Sequence, residues 1–263
     1  MEPTERNPVS KTLRALSWLV ESSTPQIGVR QLAAAMKIAP SSAHRILVAL
    51  SEAGFVRRDD GSQRYTLSVE FFRLSQRAVA KSLLRQAGLE AMQRLVNACH
   101  ESALLGVYDD VRQEMIFAAS VDAAHSSLHA ISLNEWLPVR AGASGLAILA
   151  FLKDAERHAV LQRAALRAQP GGLFGEPERL EAELANVRRQ GYAFTRCQWI
   201  SGAVGLAAPI FNRRGKVIGD ICVTIPEQRF GDGSKDRLVD AMQRCVNDVT
   251  KKMHGAEMSV EFA

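Results

Sequence analysis

No apolar run in this chain is long enough to cross a bilayer: the longest, around Gly145 to Leu152, falls far short of the ~20 residues a spanning helix needs. The opening MEPTERNPVSK has no apolar signal core, so the sequence predicts a soluble, cytoplasmic protein with no membrane partner. Cysteine is also scarce. Cys99, Cys197, Cys222 and Cys245 lie far apart without a C-x-x-C pair, which argues against a zinc ribbon or a disulfide framework and leaves reduced thiols as the expectation. Surplus charge is missing from two thirds of the chain: the 182 residues after Lys81 hold 21 Lys/Arg and 21 Asp/Glu. Met1 to Lys81 hold 12 against 7, so the whole net charge of +5 sits in the first third. Such asymmetry points to a polyanion partner, because Lys and Arg beside phosphates release condensed counterions.

With 263 residues, 47% hydrophobic and 23% charged, the chain has the composition of an ordinary folded protein and the length of two unequal domains. From Lys11 to Ser22, Leu13, Leu16, Leu19 and Val20 recur at helical spacing until Ser22-Ser23-Thr24-Pro25 stops the run. A second helix, about two turns long, begins near Val29 with Leu32, Ala33 and Met36 on one face, and it ends before Ala39-Pro40. Pro40 opens a third, whose buried stripe is Ile46, Leu47, Leu50 and Ala53 and whose terminator is Gly54. The other face of this third helix starts with Ser41, Ser42, His44 and Arg45. A recognition helix needs short donors near its N-terminus and a long cation that reads guanine or clamps a phosphate. Phe55-Val56-Arg57-Arg58 and Gln63-Arg64-Tyr65-Thr66-Leu67 then form two short strands around an Asp-Gly turn. Helix, helix, helix, hairpin is the order of a winged helix-turn-helix. Arg57, Arg58 and Arg64 would flank its wing along a DNA backbone or in a minor groove, and Gln31 on the second helix completes the DNA-binding candidates. An arginine-rich hairpin facing solvent is the plainer alternative for the wing alone.

At this point the sequence resembles the IclR family of bacterial transcriptional regulators over nearly its whole length. Three stretches carry the resemblance: RQLAAAMKIAPSSAHRILVALSEAGFVRRDDGSQRYTLS, LPVRAGASGLAILAFL, and RRQGYAF joined to GLAAPIFNRRGKVIGDICVTIP. In the first, Ser41, Ser42 and Arg45 match the Ser/Thr pair and Arg that begin the family's recognition helix. The resemblance implies a GAF-like sensor domain and homodimers, often paired into homotetramers. It also implies double-stranded DNA with a palindromic or pseudo-palindromic operator as partner.

With that resemblance the chain divides into residues 1–68 for the winged helix, 69–82 for a linker helix and 83–263 for the effector-binding and oligomerisation domain the family implies. Phe71, Phe72, Leu74, Ala78 and Val79 give the linker its apolar face, and Leu83 through Cys99 form a further helix. ALLGVYDD and EMIFAAS read as strands about a turn near Asp109-Asp110. Ser144 to Leu152, Asp154 to Arg167, Pro177 to Gln190 and Lys235 to about Met253 read as helices, while GLAAPIF and KVIGDICVTI read as strands joined at Asn212-Arg213-Arg214-Gly215. Strands in meander order with helices between them predict an α+β fold.

Four positions that commonly line the family's effector pocket fall on Thr195, Gly205, Cys222 and Thr224. Alternation on one strand puts Cys222 and Thr224 on the same face. Thr195 and Gly205 depart from the acidic and thiol residues of regulators that take very small oxoacids. Trp136 and Trp199 flank these segments, and Gly142, Ala143 and Gly145 leave space, so a larger, partly apolar organic acid, aromatic acids included, is the expected effector. His129, Leu137 and Ala143 join the candidate lining with Trp136. Arg140 is read either as a bidentate carboxylate clamp or as a surface arginine.

Catalytic and metal signals are weak. His125 and His129 have i,i+4 spacing, but their surroundings do not read as helical and no third ligand follows. Ser144 stands in G-A-S-G and not in a nucleophile elbow, and no acid/base set accompanies it. Cys222 is open to two readings, a reactive thiol or a small buried hydrophobe. The sequence therefore predicts a ligand-responsive DNA-binding regulator of a catabolic or metabolic operon, with no catalytic residues, no metal and no cofactor. A small-molecule enzyme using the C-terminal pocket, or an interaction module that does not bind DNA, are the alternatives.

Overall fold

The computed structural model describes residues 7–123, 131–139, 142–165, 177–198, 200–231 and 234–255. The chain divides into two compact units, Met1–Lys81 and Ser82–Ala263.

In the first unit, α1 (Pro8–Glu21) starts with proline in its first turn, and the Asn7 side chain accepts the Val9 N–H at 2.9 Å. The buried stripe of α1 is Ala15 and Leu19, whereas Leu13 and Val20 of the expected apolar face are exposed. The N–H of Gly28 donates to Gln31 Oε1 at 2.8 Å at the start of α2 (Val29–Met36), and Lys37 takes a left-handed conformation, φ 52°, to turn the chain into α3 (Pro40–Glu52). Ala43, Ile46, Leu47 and Leu50 of α3 pack with Leu32 and Ala33 of α2.

The wing pairs β1 (Val56–Arg58) with β2 (Tyr65–Leu67), Arg57 opposite Thr66 and Arg58 opposite Tyr65. The expected Asp-Gly turn takes another form. Asp59 accepts the Ser62 N–H at 2.7 Å and its hydroxyl at 2.6 Å, and the left-handed residue is Gln63 at φ 58°, not Gly61. Buried Tyr65 exchanges both backbone hydrogen bonds with Ile27, at 2.8 and 2.9 Å, which ties the wing to the α1–α2 connection. Next, the Ser68 hydroxyl accepts the Phe71 N–H at 3.0 Å to cap α4 (Val69–Ala80) and donates to the Gly54 carbonyl, while Phe71 stacks beside Phe55 with ring centroids 6.1 Å apart.

In the second unit, α5 (Leu83–Cys99) leads into a six-stranded antiparallel sheet. Its strands are β3 (Ser102–Asp109), β4 (Glu114–Val121), β5 (Leu137–Pro138), β6 (Ala193–Arg196), β7 (Ala203–Phe211) and β8 (Val217–Pro226), in the spatial order β5-β4-β3-β8-β7-β6. Two three-stranded meanders thus meet at β3 and β8. Helices α6 (Gly142–Leu149), α7 (Asp154–Ala165) and α8 (Pro177–Gln190) precede β6, and α9 (Ser234–Gly255) follows β8. Period-two alternation sends Ile221, Val223 and Ile225 into a core with α5 and α9, and turns Cys222 into a second core with α6 and α8. This is the expected α+β architecture, with the short strands β5 and β6 added to the four that the sequence predicts.

The β3–β8 seam needs two glycines. A Cβ at Gly106 would lie 1.9 Å from Asp220 Oδ1, and one at Gly219 would lie 2.1 Å from the Gly106 carbonyl oxygen. A backbone oxygen in a paired strand cannot move aside. Gly219→Ala is therefore expected to lose about 3 kcal/mol of unfolding free energy, measured by denaturant titration.

Candidate DNA-binding face and effector hollow

Ser41, Ser42, His44 and Arg45 are all exposed in the first turns of α3, on the side away from Ala43, Ile46 and Leu47. Arg57, Arg58 and Arg64 are exposed on the wing. Three of the eight candidates already have intramolecular duties. Gln31 caps α2; Arg58 bonds Gln63 and lies 5.9 Å from the Tyr65 ring centroid; Arg64 donates to the Gln26 carbonyl at 3.5 Å. These contacts fasten Arg58 and Arg64 to their own unit while leaving both exposed, whereas the capping role of Gln31 leaves it only its amide N–H groups for a phosphate.

In the second unit, strand register makes neighbours of residues far apart in sequence. Thr195 of β6 pairs with Gly205 of β7, and Gly205 pairs with Thr224 of β8. Beside this row the N-terminus of α6 delivers Gly142, Ala143 and Ser144. Together with Phe117, Ile131, Gln198, Ile200, Ala203 and Cys222 they line a small hollow of about 40 Å³, partly open to solvent. That is room for a few water molecules, and a larger guest would need the lining to move apart. Its space depends on Gly205, where a Cβ would stand 2.9 Å from Thr195 Oγ1 and 3.2 Å from the Ala143 Cβ. Among the described residues no acid or base lines it, so its polar wall consists of hydroxyls, the Gln198 amide, the Cys222 thiol and the backbone N–H groups that open α6.

Ala143, Thr195, Gly205, Cys222 and Thr224 are brought together here. Trp136 and Leu137 are not: the Trp136 ring takes the Arg112 guanidinium at 4.3 Å, and Leu137 pairs with Met115 at the sheet edge. His125, His129, Arg140 and Trp199 lie outside the described residues. Ser144, Gln198, Phe117, Ile131, Ile200 and Ala203 are linings that the sequence reading did not select; for Ser144 the signal was its place beside Ala143 in G-A-S-G. Burial first, and then the neighbouring Asp220 carboxyl, push the Cys222 thiol up to about 12, which argues for an inert wall residue and against a nucleophile. Among the described residues no cluster of three metal-ligating side chains is present.

Behind the hollow stands a buried carboxyl. Asp220 is 0% exposed and occupies the notch left by Gly106, and neither of its oxygens has a hydrogen-bond partner among the described residues. Desolvation pushes its pKa up from 3.8 to about 7, with the Ser144 hydroxyl pulling weakly the other way. The Ser144 hydroxyl, buried at 2%, likewise makes no well-formed hydrogen bond among the described residues, although it lies close enough to Asp220 and Cys222 to act on both.

A winged helix with exposed cations, joined in one chain to an α+β domain with a small polar hollow beside a helix N-terminus, defines a DNA-binding transcriptional regulator with an effector-binding domain. Residues 8–60 match the IclR helix-turn-helix domain, and residues 76–251 match the bacterial transcriptional regulator IclR C-terminal domain. The chain belongs to the IclR family. It is similar to the glycerol operon regulatory protein of Streptomyces coelicolor, 27% identical over 91% of this chain and 93% of that one. The transcriptional repressor IclR of Escherichia coli is 26% identical over 88% of this chain and 83% of its own. The fold is also that of an IclR homolog from Microbacterium hydrocarbonoxydans, solved as a complex with 4-hydroxybenzoate: TM-score 0.79, 23% identity, covering 94% of this chain and 99% of the other. The relatives are regulators, and the chain is a regulator and not an enzyme.

Because the folded-state pKa of Asp220 lies above its unfolded value, the native chain holds a proton that the unfolded chain releases. Stability linked to Asp220 is complete below about pH 4 and is lost as pH rises through about 7. Asp220→Asn should be neutral near pH 4 and more stable than the parent by roughly 4 kcal/mol near pH 8, read by denaturant titration at the two pH values.

Proposed function

We propose that this regulator binds a two-fold operator of a catabolic or metabolic operon as a homodimer, with assembly to a homotetramer open to it, and that a small organic acid controls that binding. The hollow carries the reading. Its α6 N-terminus offers backbone N–H groups and the positive end of a helix dipole, which suits a carboxylate. Phe117, Ile131 and Ile200 offer an apolar body for the rest of the ligand, an aromatic ring included. The complex of the Microbacterium protein with 4-hydroxybenzoate supports this class of ligand. His129 and Arg140 remain sequence-based candidates for the same ligand. A DNA-binding regulator works where the DNA is, in the cytoplasm.

Exposed apolar side chains on the first unit support the dimer: Leu13 at 59% on α1, and Val69 at 83% and Phe72 at 63% on α4. A dimer presents two winged helices to two half-sites, and an effector acts by binding one spacing of those helices better than another.

The test is fluorescence-anisotropy binding of the purified protein to DNA upstream of its own and adjacent transcription units, with and without a panel of aliphatic and aromatic acids. Sequence-specific affinity shifted by one acid class supports the reading; binding without sequence preference at every salt concentration overturns it. Arg45→Ala should weaken specific binding by about 1–3 kcal/mol if Arg45 makes a bidentate base contact, and by a smaller, sequence-independent amount if it touches only phosphate. Gly205→Val should fill the hollow and lower the acid response about tenfold or more, a loss measured as the acid concentration for half-maximal anisotropy change.

A further inference from the structure

We propose that Asp220 is a positioning residue of the hollow: its protonation turns the Ser144 hydroxyl toward the ligand, so that a carboxylate binds with uptake of one proton. The inference rests on the organic-acid reading of the hollow. Three observations carry it. The Asp220 carboxyl is fully buried with both oxygens unpartnered among the described residues. Ser144 lines the hollow, is itself buried, and has an unpartnered hydroxyl. Finally, the Gly106 notch fixes the carboxyl in place, since any side chain on β3 there would occupy the position of Asp220 Oδ1.

The groups around Asp220 leave Ser144 as its natural partner. On β3 it pairs with Gly106 and on β7 with Pro209, and from β4 the Met115 methyl approaches the same notch. Ser144 comes from α6, and Cys222 is the titratable neighbour on its own strand face, held as a thiol. No charged side chain among the described residues contributes to its titration.

A hydroxyl between a carboxyl and a ligand has two settings. Protonated Asp220 donates its O–H to Ser144 Oγ, which frees the serine hydrogen to donate to a ligand carboxylate. Ionised Asp220 accepts that hydrogen instead, so Ser144 turns only lone pairs to the hollow and a buried negative charge stands behind them. The first setting favours an anion, and the second favours a neutral ligand that brings its own donor, such as an alcohol. The balance lies near neutrality because burial raises the carboxyl to about 7. Asn at this position imitates the protonated acid, since its amide N–H can donate to Ser144 at every pH.

Calorimetric titration with benzoate and with 4-hydroxybenzoate tests the coupling, from about pH 6 to about pH 9 and in two buffers of different ionisation enthalpy, on the full-length parent protein, Asp220→Asn and Ser144→Ala. In the parent, Kd should weaken about tenfold per pH unit above neutrality, with about one proton taken up near pH 8. Asp220→Asn should bind as tightly as the parent does near pH 6, with a flat profile and no proton uptake. Ser144→Ala removes the donor to the ligand, and should bind several-fold more weakly near pH 6. Equal pH dependence in parent and Asp220→Asn overturns the coupling while leaving the acid reading intact. No binding of either acid by any of the three proteins overturns the acid reading for this class, and the coupling with it. A difference infrared spectrum between parent and Asp220→Asn that shows an ionised carboxylate throughout the range overturns the proposal whether or not an acid binds.

Discussion

The close approach of β3 to β8 is the constraint on which the C-terminal unit depends. Each meander alone would be a three-stranded ribbon with an unpaired edge, and only this seam makes them one sheet wide enough to carry helices on both faces. Gly219 lets the two backbones meet, and Gly106 leaves the place that the Asp220 side chain fills. Once the seam is closed, alternation along β8 separates the chemistry of the two faces. Ile221, Val223 and Ile225 go under α5 and α9, whereas Asp220, Cys222 and Thr224 face the side of α6. One face is therefore an uninterrupted apolar core, which stabilises by about 1.5–3 kcal/mol per large side chain buried, and the other is left with room and polarity.

That room is a local relaxation of packing. Gly142, Ala143, Ala203 and Gly205 converge on the hollow, where larger residues would have filled the space. Its polarity comes from neutral groups. Hydroxyls, an amide, a thiol and backbone N–H groups can orient around a guest without the desolvation cost of a fixed charge on the wall. The exception is held one layer back, where the Asp220 carboxyl lies outside the lining but within reach of Ser144.

Much of this was legible in the sequence because periodicity reports burial. Leu180, Leu184 and Val187 mark α8, whose observed limits Pro177 and Gln190 are those the sequence predicts, and Ile46, Leu47 and Leu50 mark the recognition helix. Family resemblance picked out Thr195, Gly205, Cys222 and Thr224, and strand register explains why the four meet. What was hidden depends on tertiary geometry. β5 has two residues, too few to show a period. Leu13 and Val20 fit a helical stripe yet face outward, because the core of the unit is reached by Ala15 and Leu19 instead. Gln63 takes the left-handed position because Asp59 folds the preceding turn around its own carboxylate. Trp136 reads as a pocket aromatic but serves as a platform for Arg112. Asp220 stands in the KVIGDICVTI strand with no motif to mark it, and nothing near it in sequence reveals that a glycine on another strand makes a place for it inside.

Ser68 joins three parts of the first unit through one hydroxyl: the Gly54 carbonyl just past the recognition helix, the end of the wing, and the first turn of α4. With Phe55 against Phe71, this makes a clamp in place of a hinge. Bending between the recognition helix and α4 would have to break these contacts, so the clamp favours transmitting a twist of α4 to the recognition helix over absorbing it at the junction.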